Sequence, residues 1–510
     1  MEIASPGTPI IIDIGSAYIK IGFAGDAAPK YIFPCITGTE KYKSVMADVE
    51  TRGIYIGDDA MKMRGVLKVK HPIVRGIIQD WDDYYEILNH IFYTLLRLEN
   101  LSFYPIIYAD APFVQRETRE YIARVLFETH KSESLIMVPS PLLSIFSIGL
   151  TTGLVIESGD GTTWIVPIIN GQIYYQAVQR LSLGGYDVNQ NLMALLMREG
   201  IMVSSSASVE IFREIKEKNC YFVLDPNNPP ALQEDLIYTM PDGSTVAVPG
   251  RFLYEAPEVM FQPAMLGYNI MNIPQAIIHC LQMIDSSYWG DLLTHIVLSG
   301  GNASYSGFEE RLKQELTSLL PQLGQIPKPK TQIKQQPTQK LQTLKATQKK
   351  EDTCSKCGTL VDLSDGKEFC PNCGGSMVAP LFSIDLGLGK KKEKKKLRSK
   401  CPHCGKDIKD DFSIFCPYCG QNVEAFEAFE IVEEKIEQAV TTTIQEFAGY
   451  YEPSDEILKF FVPRNLHYAI FNGASVLGSL PSFRNYFVSH TQFLSDPNLL
   501  YRDISDILRQ

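Results

Sequence analysis

No stretch of the 510-residue chain approaches the ~20 consecutive uncharged apolar residues that a membrane-spanning helix needs. The opening Met-Glu-Ile-Ala-Ser-Pro lacks the basic-then-apolar run of a secretory signal, so a cytoplasmic protein is expected. Cysteines outside pairs are scarce. Of eleven cysteines, eight fall in four Cys-x-x-Cys pairs, which leaves Cys35, Cys220 and Cys280 to read as buried thiols. In a long chain without an export signal the pairs point to metal rather than to disulfides. Residues 321–350 contain no acid. Their Gln, Lys, Thr and Pro leave little to bury, which is a linker composition.

What is present is ordinary globular material, 45% hydrophobic and 21% charged, enough for two or more cores. Net charge is −11, unevenly spread: residues 321–420 hold 19 Lys/Arg against 10 Asp/Glu, an excess of 9 that leaves −20 elsewhere. A basic insert in an acidic body reads as a separate module with its own partner.

Two stretches share one design. Leu154-Val-Ile-Glu-Ser-Gly-Asp-Gly-Thr-Thr-Trp-Ile-Val-Pro167 is an apolar strand, an acid, a glycine turn and a second strand. Ile10-Ile-Ile-Asp-Ile-Gly-Ser-Ala-Tyr-Ile-Lys-Ile-Gly-Phe23 repeats it. Glycine turns let backbone N–H groups close around an anion, so two such hairpins facing each other would clamp a polyphosphate. Each alone is also compatible with an ordinary hairpin with a polar tip.

Along the chain, residues 9–37 alternate as strands, and the polar stretch 38–55 is expected to be an exposed, mobile loop. Helices are expected over Asp80–Leu98, Arg116–Thr129, Leu142–Gly149, Asp187–Glu199, Ser206–Asn219 and Gly307–Leu320, with buried strands at 105–110 and 296–299. A hairpin is expected around Pro241-Asp-Gly243. Alternating strands and helices argue for α/β architecture with crossover helices. After the linker and the cysteine block, Phe426–Phe447 regains helical spacing. A strand at Ile457–Val462 and a glycine turn at Asn472-Gly-Ala-Ser475 then return to the earlier style. The expected division is 1–322 core, 323–353 linker, 354–425 cysteine module, 426–454 helix and connection, and 455–510 remainder of the core.

The cysteine module has two sets. Cys354-Ser-Lys-Cys357 and Cys370-Pro-Asn-Cys373 form one; Cys401-Pro-His-Cys404 and Cys416-Pro-Tyr-Cys419 form the other. Each Cys-x-x-Cys is followed by glycine, which permits the tight turn that aims two thiolates at one ion. Two knuckles complete a closed tetrahedral site, so two structural Zn2+ are expected, with iron in a tetrathiolate site as the alternative. The module looks like a double zinc ribbon. It suits protein docking; nucleic acid, helped by Lys390–Arg398, is the other reading.

Read together, several further stretches resemble actin and the actin-related proteins. They are Phe23-Ala-Gly-Asp-Ala-Ala-Pro29, His71-Pro-Ile-Val-Arg-Gly-Ile-Ile78 with Trp81-Asp-Asp83, Ser158-Gly-Asp-Gly161, Ile215-Lys-Glu-Lys218, Phe261-Gln-Pro263 and Leu298-Ser-Gly-Gly301. The resemblance implies an α/β, two-lobed actin-like ATPase fold, built of duplicated ribonuclease H-like domains in four subdomains, with the ribbons inserted. It also implies ATP or ADP with Mg2+ between the lobes. Asp13, Gly15, Ser16 and Lys20 match the first phosphate loop, and Ser158, Gly159, Asp160 and Gly161 the second. Arg213, Lys216 and Glu217 share a helix face that flanks the nucleoside in the family, Gly300, Gly301 and Tyr305 border the base and phosphates, and His467 stands at a lysine position beside the base.

Three positions depart from the family. Ser140 stands where a glutamine positions the attacking water, Trp164 where a histidine assists it, and Glu157 where an aspartate completes the metal's surroundings. These imply slow hydrolysis or none. The chain is therefore expected to be a cytoskeletal regulator or scaffold whose partners are actin-type subunits or a protein on the ribbons. A self-polymerising filament protein and a nucleic-acid- or chromatin-associated actin relative are the alternatives. Zinc ribbons with Cys-Pro-x-Cys-Gly are frequent in archaeal proteins, so the chain looks like an archaeal actin relative.

Overall fold

The computed structural model describes residues 5–41, 53–201, 206–229, 234–239, 245–328, 351–353, 360–362, 450–451, 454–502 and 504. All eight paired cysteines, the expected helix 426–447 and the turn 241–243 lie outside them. The chain forms two compact units: Met1–Thr331 with Ala439–Gln510, and Gln332–Gln438. Of the second, the strands Glu351–Thr353 and Leu360–Asp362 pair antiparallel.

The first unit is built on two sheets of one plan. In the first, Tyr31–Pro34, Tyr18–Phe23, Ile10–Ile14, Ile106–Asp110 and Ser134–Pro139 lie side by side, with Val488–Ser489 added beyond. In the second, Gln172–Ile173, Thr163–Ile169, Gly153–Ser158, Ile296–Ser299 and Phe460–Phe461 follow the same order. Both sheets run antiparallel across their first two pairings and parallel across the next two. Parallel strands need crossover helices, which cover both faces. Hence Ile10, Ile11 and Ile12 are all fully buried instead of alternating. Each sheet has its own core. Ile10, Ile12, Ile87 and Phe127 belong to one, and Ile156, Leu192, Ile277 and Leu298 to the other.

Several elements differ from the periodicity. The helix at 81 starts at Trp81 because Asp80 accepts the Asp83 N–H at 3.0 Å, but it is α-helical only to Asn89 and continues as a π-helical turn, His90–Leu95. The helix Arg116–Arg124 likewise passes into a π-helical turn, Val125–Thr129. Helical spacing alone does not separate these windings. The polar stretch at 38 opens as a strand, Thr37–Glu40, which pairs with both Tyr55–Ile56 and Leu67–Lys70 over the small core of Ile36, Ala60 and Leu67. The expected strand 457–462 shortens to Phe460–Phe461, after a 3-10 turn at Asp455–Ile457.

The expected glycine turn at 472–475 is instead the middle of a helix, Ala469–Ser479. It packs on the helix Ser140–Phe146, which links the two sheets. Gly473 is there for clearance: a Cβ would lie 1.8 Å from the Leu143 carbonyl oxygen. A helix that leans its backbone on another must lack a side chain at the crossing.

The chain leaves for the second unit through Ile326–Pro327 and comes back through Tyr450–Tyr451, and these two strands pair antiparallel. Among the described residues no helix is long and apolar enough to cross a membrane. The contact at Gly473 is with backbone, so Gly473→Ala is expected to cost on the order of 3 kcal/mol or more, read as a large fall in the thermal unfolding midpoint of the full chain.

Candidate functional site

Asp13 sits opposite Lys20 in the first hairpin, and the Lys20 ammonium donates to Asp13 Oδ2 at 2.9 Å. The Gly15 N–H closes the turn on the Tyr18 carbonyl at 3.0 Å. In the second hairpin Glu157 faces Trp164 and Ser158 faces Thr163, and the Gly159 N–H closes the turn on Thr162 at 3.0 Å. The structure thus gives both glycine turns the hairpin form read from the sequence, and brings their tips together. A Cβ on Gly161 would lie 2.9 Å from Ser16 Oγ.

The second tip is fixed from behind. Asn302 Nδ2 donates to Ser158 Oγ at 3.0 Å and to the Gly159 carbonyl at 2.7 Å, and the Gly185 N–H donates to the same carbonyl at 3.0 Å. Gly300, at φ 87°, passes so close that a Cβ would stand 2.2 Å from the Ser158 carbonyl oxygen. Gly301 is its opposite: a Cβ there would meet nothing within 4 Å, so open space lies against the backbone.

Beside the second tip lies a charged layer. Lys216 Nζ, nearly inaccessible to solvent, donates to Asp160 Oδ1 at 3.4 Å and to the Gly185 carbonyl at 2.9 Å. Arg213 stands 3.8 Å from Asp160 and 3.2 Å from Glu210, which also takes His71 at 3.2 Å. Burial alone would push the Asp160 carboxyl up, but Lys216 and Arg213 hold it below the usual carboxylate range. Arg213 Nε is buried without a hydrogen-bond partner among the described residues, a donor still to be used. Glu217 comes from the same helix and accepts from Tyr18 OH at 2.8 Å, across from the first hairpin.

The departures occur together. Ser140 Oγ donates to Glu157 Oε1 at 2.7 Å, and Ser144 Oγ, one turn further along the same helix, donates to Oε2 at 3.3 Å. A serine is short, and the longer glutamate reaches into the space it leaves. Burial pushes the Glu157 carboxyl up to about 7; the Ser140 hydroxyl works against that and the nearby Asp13 works with it. The Trp164 ring is packed between Phe113, 6.1 Å away on the first lobe, and the Arg180 guanidinium at 5.6 Å.

Two residues fall at the margin. Tyr305 is buried beside Phe222, with ring centroids 5.8 Å apart, so its ring serves the second core. His467 is exposed on a short turn, Leu466–Tyr468, that packs on the turn Gly301–Ser304. Cys35, Cys220 and Cys280 are free, buried thiols, and burial pushes Cys35 and Cys220 up to about 12. Sequence reasoning missed Tyr18, Ser144, Asp187 and Asn302. It carried Arg75 only as part of a matching motif, although Arg-Gly between two apolar pairs is a turn signal.

Asp13, Glu157 and Lys20 in the hairpins, open space at Gly301 and an unused buried guanidinium on Arg213 are groups that fit a magnesium-bound polyphosphate with an attached nucleoside. Two family models match the chain: the one described as Actin over residues 5–343, and the one described as Double zinc ribbon over residues 354–420.

The raised Glu157 carboxyl carries a pH consequence. A folded-state value above the unfolded one means that the neutral acid suits the fold, so stability is full below about 4.5 and is lost as pH rises through about 7. Glu157→Gln is expected to be more stable than wild type above pH 7, by on the order of 1–2 kcal/mol, and equal to it near pH 4.5. Urea unfolding without nucleotide or magnesium at a series of pH values measures this.

Proposed function

From the premise that this chain belongs to the actin family, we propose that it binds ATP or ADP with Mg2+ between the two hairpins and hydrolyses ATP slowly or not at all. We propose further that it regulates or scaffolds actin-type filaments, with the zinc ribbons, two structural Zn2+ between them, as the docking element for a protein partner. The nucleotide would bring a run of negative charge and a divalent cation. Lys20 offers an ammonium to that charge from the first tip, while Asp13 and Glu157 offer carboxylates that orient water on the cation. Arg213, Lys216 and Glu217 present charge and hydrogen-bonding atoms on the nucleoside side, and Gly301 leaves room there.

The observation that carries slow hydrolysis is the Ser140–Glu157 hydrogen bond of 2.7 Å. The serine hydroxyl is turned to the carboxylate and is too short to hold a water at the far end of a phosphate chain. The Trp164 indole has no acceptor lone pair for a proton and is already engaged by Phe113 and Arg180. A missing water-positioning group is worth orders of magnitude in phosphoryl transfer.

Calorimetry is expected to show heat from Mg-ATP and Mg-ADP, and Lys216→Ala to weaken it at least about tenfold. Single-turnover hydrolysis by the native chain should be slower than that of filament-activated actin. Combining Ser140→Gln, Glu157→Asp and Trp164→His should speed it by about tenfold or more. No heat from either nucleotide overturns the reading. Elemental analysis is expected to give two zinc per chain, and an iron-coloured protein would replace that assignment. Pelleting with and without conventional actin separates a filament regulator, which alters actin growth, from a filament former, which sediments alone.

A further inference from the structure

Two helices of the first lobe end in the same way. The π-helical turns His90–Leu95 and Val125–Thr129 each close with an N–H that reaches back five residues. Leu96 donates to the Ile91 carbonyl at 2.9 Å, and His130 to the Val125 carbonyl at 3.2 Å. The next residues, Arg97 and Lys131, stand at φ 54° and 57°. Such turns are rare and recur where a helix does more than pack. A side-chain hydrogen bond joins the two ends, between Tyr93 OH and His130 Nδ1 at 3.2 Å.

The His130 imidazole is 2% exposed and enclosed by the rings of Phe92, Tyr85 and Tyr93, with centroids 4.9, 5.7 and 5.8 Å away. Its Nε2 is buried with no hydrogen-bond partner among the described residues. A neutral ring meets this at little cost: Nδ1–H donates to the phenol oxygen, and a bare lone pair on Nε2 loses less than a bare N–H. An imidazolium puts a second N–H there, with nothing to accept it and no water around the charge. Among the described residues no ion pair includes His130. The titratable groups whose rings face it are Tyr85 and Tyr93, while His90 and His490 are turned to Phe33 and Phe127. Glu128, Lys131 and Glu133, beside it in the chain, are exposed. The helix end and the ring faces favour a cation, each by less than burial takes away. Burial therefore holds the imidazole down, from 6.5 to about 4.

We propose that His130 is an acid-sensitive latch on the paired helix ends of the first lobe: neutral, it keeps them closed; protonated, it releases them while the sheet behind stays folded. The latch uses only groups of the chain and does not rest on the nucleotide reading. The fold suits the neutral ring, so its contribution is full above about pH 6.5 and is lost as pH falls toward about 4. Release would uncover Phe92 and Leu126, both fully buried when the latch is closed.

Hydrogen exchange on the full-length protein, read as protection factors between pH 7 and pH 5, tests this. Protection at Tyr93–Leu98 and Thr129–Ser132 is expected to fall about twentyfold over that range in wild type. His130→Phe keeps a ring in the box without a titrating group and should show a flat profile. His130→Gln, smaller and also unable to titrate, should be equally flat even if the lost ring lowers protection at every pH, because the slope and not the level is read. The helix Phe308–Leu319, in the second core, serves as the control and should stay flat in all three. A flat wild-type profile overturns the proposal. So does a wild-type slope retained in either variant, or an equal fall at Phe308–Leu319, which would mean loosening of the whole chain.

Discussion

A carboxylate without solvent contact has to be neutralised where it lies, and Asp187 is such a group. Each of its oxygens takes two donors. Oδ2 accepts the Gly184 N–H at 2.9 Å and Arg75 at 3.1 Å; Oδ1 accepts Tyr268 OH at 3.0 Å and Arg75 at 2.6 Å. Gly184 and Tyr268 are local to the second lobe, but the cation comes from the first. The helix Gly185–Arg198 begins at this carboxylate, and the Gly185 N–H and carbonyl in turn hold Gly159 and Lys216. The second glycine turn therefore hangs on a helix start whose charge is balanced from the first lobe.

Another link between the lobes is made by packing. The helix Ser140–Phe146 runs between the sheets with Gly473 against its backbone, and the same helix carries the two hydroxyls on Glu157. Ser144 also contacts Ser299 at 2.9 Å, at the end of the strand parallel to Gly153–Ser158. A change at Glu157 is thus felt first by the connecting helix. The pairing of a short residue at 140 with a long acid at 157 is one adjustment rather than two.

Much of this was legible in the sequence because it depends on local patterns. The duplicated strand–acid–glycine–strand design gave both hairpins, and the alternation of strands with helices gave sheets with crossover helices; the continuous burial of Ile10, Ile11 and Ile12 departs from the alternation expected over 9–37. What escaped has physical reasons. Gly473 reads as a turn because glycine breaks helices by propensity, whereas here it answers a tertiary clash at Leu143. The π-helical turns at His90–Leu95 and Val125–Thr129 have the same apolar spacing as α-helix. Lys20, Lys216 and Asp160 were found from their motifs. Tyr18 and Asp187 were not, since their partners lie 199 and 112 residues away and no periodicity connects such distances.

The strands Ile326–Pro327 and Tyr450–Tyr451 run side by side, so the chain departs for its second unit and rejoins the first at one spot. For the parent fold, the chain between those strands is a single excursion, and lengthening it costs only slowly growing closure entropy. Such a junction behaves as a graft point. A compact cassette could be acquired, traded for another or trimmed to a bare hairpin there without disturbing either of the two large sheets.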